Sequence, residues 1–268
     1  MTPDGFHWRE AGSVRILVPS FFDLLNLCGG YSTRASSTRR DLDCDCRGGK
    51  AAEQVLENRR LVAAAMEVDA ASFVFAEQVH SNRATAATSA DRGRGARSHE
   101  SAVAATDALV TTDTGLPLAI LAADCAVVLL ADENRRAVAA VHCGRRGAVL
   151  NVAASAAAAL ANLGVAPAGL YASIGPAICQ SCYEVGPEVA AEFERAFPRA
   201  SSFLKISSGR AHLDLSGIVR SQLADLGVRA DRVFDAGLCT ACQNELFFSY
   251  RREREGAGRC MGVICLAL

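Results

Sequence analysis

Three side chains of this sequence could hold one metal ion. His80 closes the segment FVFAEQVH, Cys125 stands at the break in ILAADCAVV, and His142 closes RAVAAVH. Each segment reads as a strand, and strand ends in α/β folds are where ligand sites collect. Two imidazoles and a thiolate suit zinc, and three protein ligands leave the fourth tetrahedral position open, as in a catalytic site. By residue type alone there is a plainer explanation: a buried cysteine packs as a small hydrophobe and a lone histidine caps a strand. The three segments are separate, so spacing does not decide between the two.

Asp124 sharpens the question, because a carboxylate inside the most apolar stretch of the chain, Leu116 to Ala131, is costly unless paired. It either holds a neighbouring group by hydrogen bonding or serves as a general base. A second constellation, Cys179-x-x-Cys182 with Cys239-x-x-Cys242, has the local spacing of zinc ligands, but 56 residues separate the two pairs. Buried thiols are therefore expected ahead of a four-thiolate site. In HCGRRGAV, Arg145 and Arg146 stand at a helix start, where free N–H groups and the helix dipole favour anions. GGYSTR and the other Gly-rich fragments lack the spacing of a nucleotide-binding loop.

The scaffold that must position these residues reads as mixed α/β. Residues 1–12 read as a frayed terminus, Val14 to Phe22 as a strand, and Cys28 to Gly49 as a long polar loop. Lys50 to Met66 predicts a helix, with Val55, Leu56, Leu61 and Val62 at helical spacing. Ala84 to Thr106, poor in large apolar residues and rich in Gly, Ser and Arg, predicts a mobile loop. GLPLAILAAD and AVVLLAD predict buried strands. Arg136 to His142 predicts another, leading through a Gly turn into a helix from Ala148 that Gly164 caps. LYASIG and CMGVICLAL read as strands, EVAAEFERAF as a helix, and LDLSGIVRSQLADLG as a strand-like start running into a helix. With no repeat and no obvious linker, residues 1–268 are expected to form a single domain.

At 268 residues, 50% hydrophobic and 21% charged, the chain is long enough for a sizeable core. A net charge of −1 gives no reason to expect nucleic acid or an acidic membrane as partner. The opening residues lack the pattern of a secretory signal, and the longest apolar stretch falls short of the roughly 20 residues of a membrane helix. The expected location is the cytoplasm, where eleven scattered cysteines point to metal binding, catalysis or burial rather than disulfides.

Five ordered motifs covering nearly the whole chain resemble the laccase-domain family, also labelled multicopper polyphenol oxidases or purine nucleoside phosphorylases. EQVHS resembles its Gln-Val-His motif, and TDALVTTDTGLPLAILAADCAVVLLAD its central segment with Ala-Asp-Cys. AVAAVHCGRRG is similar to its His-Ala-Gly-Trp-Arg-Gly motif, and SIGPAICQSCYEVG and CTACQNELFFSYRREREGAGR resemble its two late signatures. The resemblance implies a four-layer α/β/β/α sandwich with two mixed sheets, and His80, Cys125 and His142 as metal ligands and catalytic centre. Arg59 and Arg251 also fall on motif positions and, with Arg146, could pair bidentately with phosphate. There are departures. Arg145 replaces the motif's tryptophan, LDCDCRGG replaces an Asn-Leu-Gly stretch, and LLNLCGG lacks an expected arginine before Gly-Gly.

The function this implies is a zinc enzyme acting on purine nucleosides and phosphate. Its reactions would be phosphorolysis of adenosine, inosine or guanosine and hydrolytic deamination of adenosine. Three alternatives stay open. A copper polyphenol oxidase would want an axial methionine and many histidines, yet the chain has three Met and five His. A metal-free Cys–His hydrolase, such as an enzyme editing peptidoglycan precursors, would use Cys125 as nucleophile. An inactive binding scaffold would fit the change at Arg145.

Overall fold

In the computed structural model, which describes residues 2–36, 41–47 and 52–268, the chain builds two six-stranded sheets. Across the first lie β1 (Phe6–Ala11), β2 (Val14–Pro19), β3 (Leu27–Ser36), β15 (Cys260–Leu266), β7 (Leu118–Ala122) and β4 (Val74–Phe75). Across the second lie β14 (Val233–Asp235), β10 (Leu170–Ile174), β8 (Ala126–Asp132), β9 (Val138–Cys143), β6 (Ala108–Thr111) and β5 (Ala84–Ala86). Both are mixed: β4 runs parallel to β7, β14 to β10 and β5 to β6, while the remaining pairs are antiparallel. A small antiparallel sheet orders β11 (Glu184–Val185), β13 (Arg210–Leu213) and β12 (Leu204–Ser207).

Side-chain alternation stacks the two sheets. Val127, Leu129 and Ala131 of β8, Val138 and Ala140 of β9 and Leu109 of β6 join the core shared with the first sheet. Their neighbours Val128, Leu130, Ala139, Val141 and Val110 join a second core with α4 (Val152–Asn162) and α6 (Leu215–Asp225). On the far side of the first sheet lies α2 (Ala52–Ala65), against β1 and β2. The result is the expected four-layer α/β/β/α sandwich. A strand covered on both faces has no polar side to show, which is why AVVLLA reads as an unbroken apolar run.

The shorter helices serve as connectors. α1 (Phe21–Leu24) seats Phe21 on Tyr171, with ring centroids 5.4 Å apart. α3 (Arg145–Val149) follows β9, α5 (Pro187–Ala196) packs beside β13, and α7 (Tyr250–Glu253) precedes β15. Among the described residues no helix is long and apolar enough to cross a membrane.

Several expectations are corrected. The frayed terminus is strand β1, paired along its length with β2, and the strand expected to reach Phe22 ends at Pro19. The polar loop expected from Cys28 begins as β3, between β2 and β15; its residues 37–40 and 48–49 lie outside the described residues. The Gly-Gly pair caused that misreading. Gly29 and Gly30 have φ of 127° and 133°, and a Cβ at Gly30 would stand 2.7 Å from the Leu17 carbonyl oxygen. Here glycine lets a neighbouring backbone approach and does not mark a turn.

The expected mobile loop 84–106 contains strand β5 and two 3-10 turns, tied together by Arg94, which bonds Asp91 and the carbonyls of Ser101 and Ala102. The long helix expected from Ala148 is divided into α3 and α4 at Asn151, a left-handed residue whose side chain caps α4 through the Ala154 N–H. The predicted strand from Phe73 to His80 is regular only at Val74 and Phe75.

The two sheets are also joined by a polar contact. The buried Tyr31 hydroxyl of β3 lies 2.7 Å from Ser173 Oγ and donates to the Ser173 carbonyl of β10 at 3.0 Å. Removing one partner of a buried hydrogen bond costs about 1–3 kcal/mol. Tyr31→Phe should lower the unfolding free energy by that amount in denaturant titrations, with the m-value unchanged; an unchanged midpoint would show that the contact contributes nothing net.

Candidate metal centre

The site is built where β8 and β9 emerge together. Their register pairs Val127 with His142 and Ala126 with Cys143, so Cys125 comes out of β8 beside the end of β9. His80 arrives from the segment after β4 in a left-handed conformation, φ 60°. One ring nitrogen of each histidine and the Cys125 Sγ all lie within 4.8 Å of one another, and the two imidazole centroids are 4.8 Å apart. The three residues expected to converge do so.

A fourth residue, which the sequence reading passed over, holds them together. Asp107 is fully buried at the start of β6. Its carboxylate accepts the backbone N–H groups of Val79, His80 and Ser81 and the Ser81 hydroxyl, and lies 2.8 Å from His142 Nδ1. The backbone turn carrying one ligand and the ring of another are therefore fixed by one carboxylate. Burial would raise the pKa of Asp107, but the hydrogen bonds from His142 and Ser81 outweigh it and bring it down to about 2.

Hydrogen bonding at Nδ1 leaves Nε2 of His142 to face Cys125. Burial pushes the Cys125 thiol up, yet the imidazoles of His142 and His80 bring it down to about 6. Burial pulls His142 down, and the Cys125 sulfur and Asp107 reverse this, raising it to about 9. Without a metal the pair therefore favours thiolate and imidazolium. The donor set fits zinc in two respects. Its chemistry is two imidazoles and a thiolate with a carboxylate behind one imidazole, and the space beside it is kept clear. A Cβ on Gly144 would stand 2.8 Å from Cys125 Sγ and 3.6 Å from His80 Nε2, inside the cluster.

Asp124 is not in the ligand set. Its carboxylate accepts the Thr240 hydroxyl and the Arg251 backbone N–H, both at 2.6 Å, and its carbonyl accepts the Ile178 N–H. At φ 86° it turns the chain between β7 and β8 and ties two distant loops to that turn. The cost of a carboxylate in this apolar stretch is offset by those bonds and by its position on the wall of an open cavity.

That cavity, about 590 Å³, has His80, Cys125 and His142 in its lining. Of the three arginines expected at phosphate, Arg251 lines it, its Nη2 donating to the Glu184 carbonyl. Arg59 does not: its buried guanidinium donates to the carbonyls of Cys44, Gly95 and Ala96 and stacks on Phe75, 4.0 Å from the ring centroid. It pins α2 to two loops. Arg146 is exposed in α3 and is not among the lining residues, and Arg145 is turned to Glu192 at 2.6 Å.

Besides Arg251, the cations at the cavity are Arg47, Arg254 and Arg259, with Asp43, Asp45 and Glu255 among them. Arg47 pairs with Asp45, and Arg259 donates to the carbonyls of Ala257 and Gly258. Arg254 makes no side-chain hydrogen bond among the described residues. The LDCDCR stretch thus forms part of the wall through Asp43, Asp45 and Arg47. The two CxxC pairs, expected as buried thiols, also come together: all four sulfurs lie within 4.8 Å of one another, and Cys242 is exposed.

Residues 27–267 match the family described as multi-copper polyphenol oxidoreductase laccase. The chain is 41% identical over 212 residues to the purine nucleoside phosphorylase SCO2081 of Streptomyces coelicolor, covering 79% of this chain and 82% of that one. It is 33% identical over 218 residues to the adenosine deaminase RL5 of an unknown prokaryotic organism, covering 81% and 83% respectively. The crystal structure of YlmD from Geobacillus stearothermophilus superposes with a TM-score of 0.90 at 29% identity, over 99% of this chain and all of that one.

Two substitutions test this construction. Asp107→Asn removes the charge that orients His142 and should weaken zinc binding about 10–100-fold in a chelator-competition titration. Gly144→Ala should weaken it too, by intrusion on the ligands, while Ala at the exposed Arg146 leaves it unchanged. Undiminished affinity in Asp107→Asn would remove the carboxylate from the account of the site.

Proposed function

The chain belongs to the multi-copper polyphenol oxidoreductase laccase family, and from that membership and the geometry of the cavity we propose that it is a zinc-dependent purine nucleoside enzyme. Its reactions are phosphorolysis of adenosine, inosine or guanosine to base and ribose 1-phosphate, and hydrolytic deamination of adenosine. The observation that carries this reading is the convergence of His80, Cys125 and His142 in a cavity with arginines on its wall. The names of the phosphorylase and deaminase relatives support both reactions.

His80, Cys125 and His142 would hold the ion, which when bound supplies Lewis acidity beside the substrate. The protein's own groups do the rest. Asp107 keeps the His142 ring in one orientation. Arg254, with no competing hydrogen bond among the described residues, and Arg251 receive phosphate on the cavity wall. Tyr183 also lines the cavity; burial and the Cys125 sulfur push its pKa to about 12. It therefore keeps its proton at neutral pH and donates to a polar atom of the purine.

The copper reading finds less support, since Met66 and Met261 are buried in the core and no methionine among the described residues lines the cavity. A second reading has a specific observation behind it. Cys125, His142 and Asp107 form a thiol–imidazole–carboxylate series, the arrangement of a cysteine hydrolase. Alkylation separates the two: a metal-held thiolate is protected until chelation, while a free nucleophile reacts at once.

Purified zinc-loaded protein incubated with adenosine should give adenine when phosphate is present and inosine with or without it, and Cys125→Ala should abolish both products on chromatography. Arg254→Ala should raise the KM for phosphate about 10–100-fold, the loss of one charge-assisted hydrogen bond, and leave deamination intact. Absence of any product from the zinc-loaded protein would overturn the reading and shift weight to the hydrolase.

A further inference from the structure

We propose that Cys179, Cys182, Cys239 and Cys242 form a second metal site, a closed four-thiolate zinc that holds two loops of the cavity wall together. The convergence of their sulfurs within 4.8 Å matches the size of a tetrahedral ZnS4 unit. With Zn–S bonds of about 2.3 Å its sulfur–sulfur edges are about 3.8 Å.

The backbone around the cluster has the form such a site needs. Each CxxC closes a tight turn: the Cys182 and Tyr183 N–H groups donate to the Cys179 carbonyl, and the Gln243 N–H to that of Cys239. Two backbone N–H groups, of Cys179 and Cys242, point at Cys239 Sγ at 3.3 Å, where they would stabilise thiolate charge. The turns are set side by side by backbone pairing: Ala177 bridges Cys239 in parallel, and the Thr240 N–H donates to the Ala177 carbonyl. Ile178, Cys239 and Ala241 form a small core of their own, apart from the two large ones. Thiols meeting on a loop surface gain little from burial, and Cys242 is exposed. Zinc explains why four of them are placed together.

Four protein ligands leave no open coordination position, so the role is structural. One turn runs into Tyr183 and follows Ile178, both on the cavity wall. The other carries Thr240, which donates to Asp124. A zinc clip here keeps those segments aligned with the His80–Cys125–His142 centre, whatever reaction that centre performs.

Metal content decides it. The full chain, purified in reducing buffer without chelators and supplied with zinc alone, should contain about two zinc ions per chain by mass spectrometry of the metal. Cys125→Ala should keep about one, and adding Cys179→Ser and Cys242→Ser should remove that one. As a control on folding, cysteines of the wild-type protein are mapped by alkylation: these four should be protected together and become reactive together on chelation. Cobalt bound to Cys125→Ala should give the visible bands of tetrahedral thiolate ligation. Cys125→Ala protein without zinc, prompt alkylation of the four thiols, or a Cys182–Cys242 disulfide in the reduced preparation would each overturn the proposal. Because the Cys125 change removes only the first centre, failure of this site and failure of the nucleoside reading are distinguishable.

Discussion

The candidate centre depends on one buried carboxylate. Asp107 sits between two pieces of chain, the irregular turn after β4 and the end of β9, and its side chain bonds both. A buried charge of this kind is tolerated because its bonds come from backbone, hydroxyl and imidazole together. Removing any one leaves the rest poorly matched, so the turn at His80, the ring of His142 and the start of β6 behave as one unit. The backbone supports the same unit, since the His142 N–H donates to the Asp107 carbonyl.

Asp124 does for the cavity wall what Asp107 does for the ligands. One carboxylate fixes imidazole and turn, the other fixes Thr240 and the Arg251 backbone, and Cys125 is the residue next to it. The sheets supply rigidity behind this arrangement. β8 and β9 are buried throughout, so the residues at their ends cannot shift without disturbing packed strands.

Much of this was legible in the sequence, and the misreadings have physical causes. Strong apolar runs identified β7, β8, β9 and β15 because covered strands carry a near-continuous signal. The ligands were legible because His and Cys at strand ends are few and the motifs around them distinctive. Asp107 was not, since an aspartate before a strand usually caps a turn and its partners lie 26 to 35 residues away. Arg59 misled because a motif position says nothing of which way a guanidinium points; its planar donors suited three carbonyls in the interior. The CxxC pairs misled by their separation, which the chain fills with α5, the small sheet and α6 before returning. Glycine misled in β3, where it marks close backbone approach.

The position of β15 has a consequence for how the molecule is made. It lies between β3 and β7 in the first sheet, with Gly262 paired to Tyr31 on one side and to Ile120 on the other. Every other strand of that sheet is synthesised earlier. At translation speeds of 5–20 residues per second, β3 waits roughly 10–50 s for its partner. Once β7 has also been made, the nascent chain carries two unfinished sheet edges, one on each side of the gap that β15 will fill. Such edges can template pairing with other chains. Synthesis through residue 266 is therefore the event that closes this sheet, and before it both edges are open to pairing with the wrong strand.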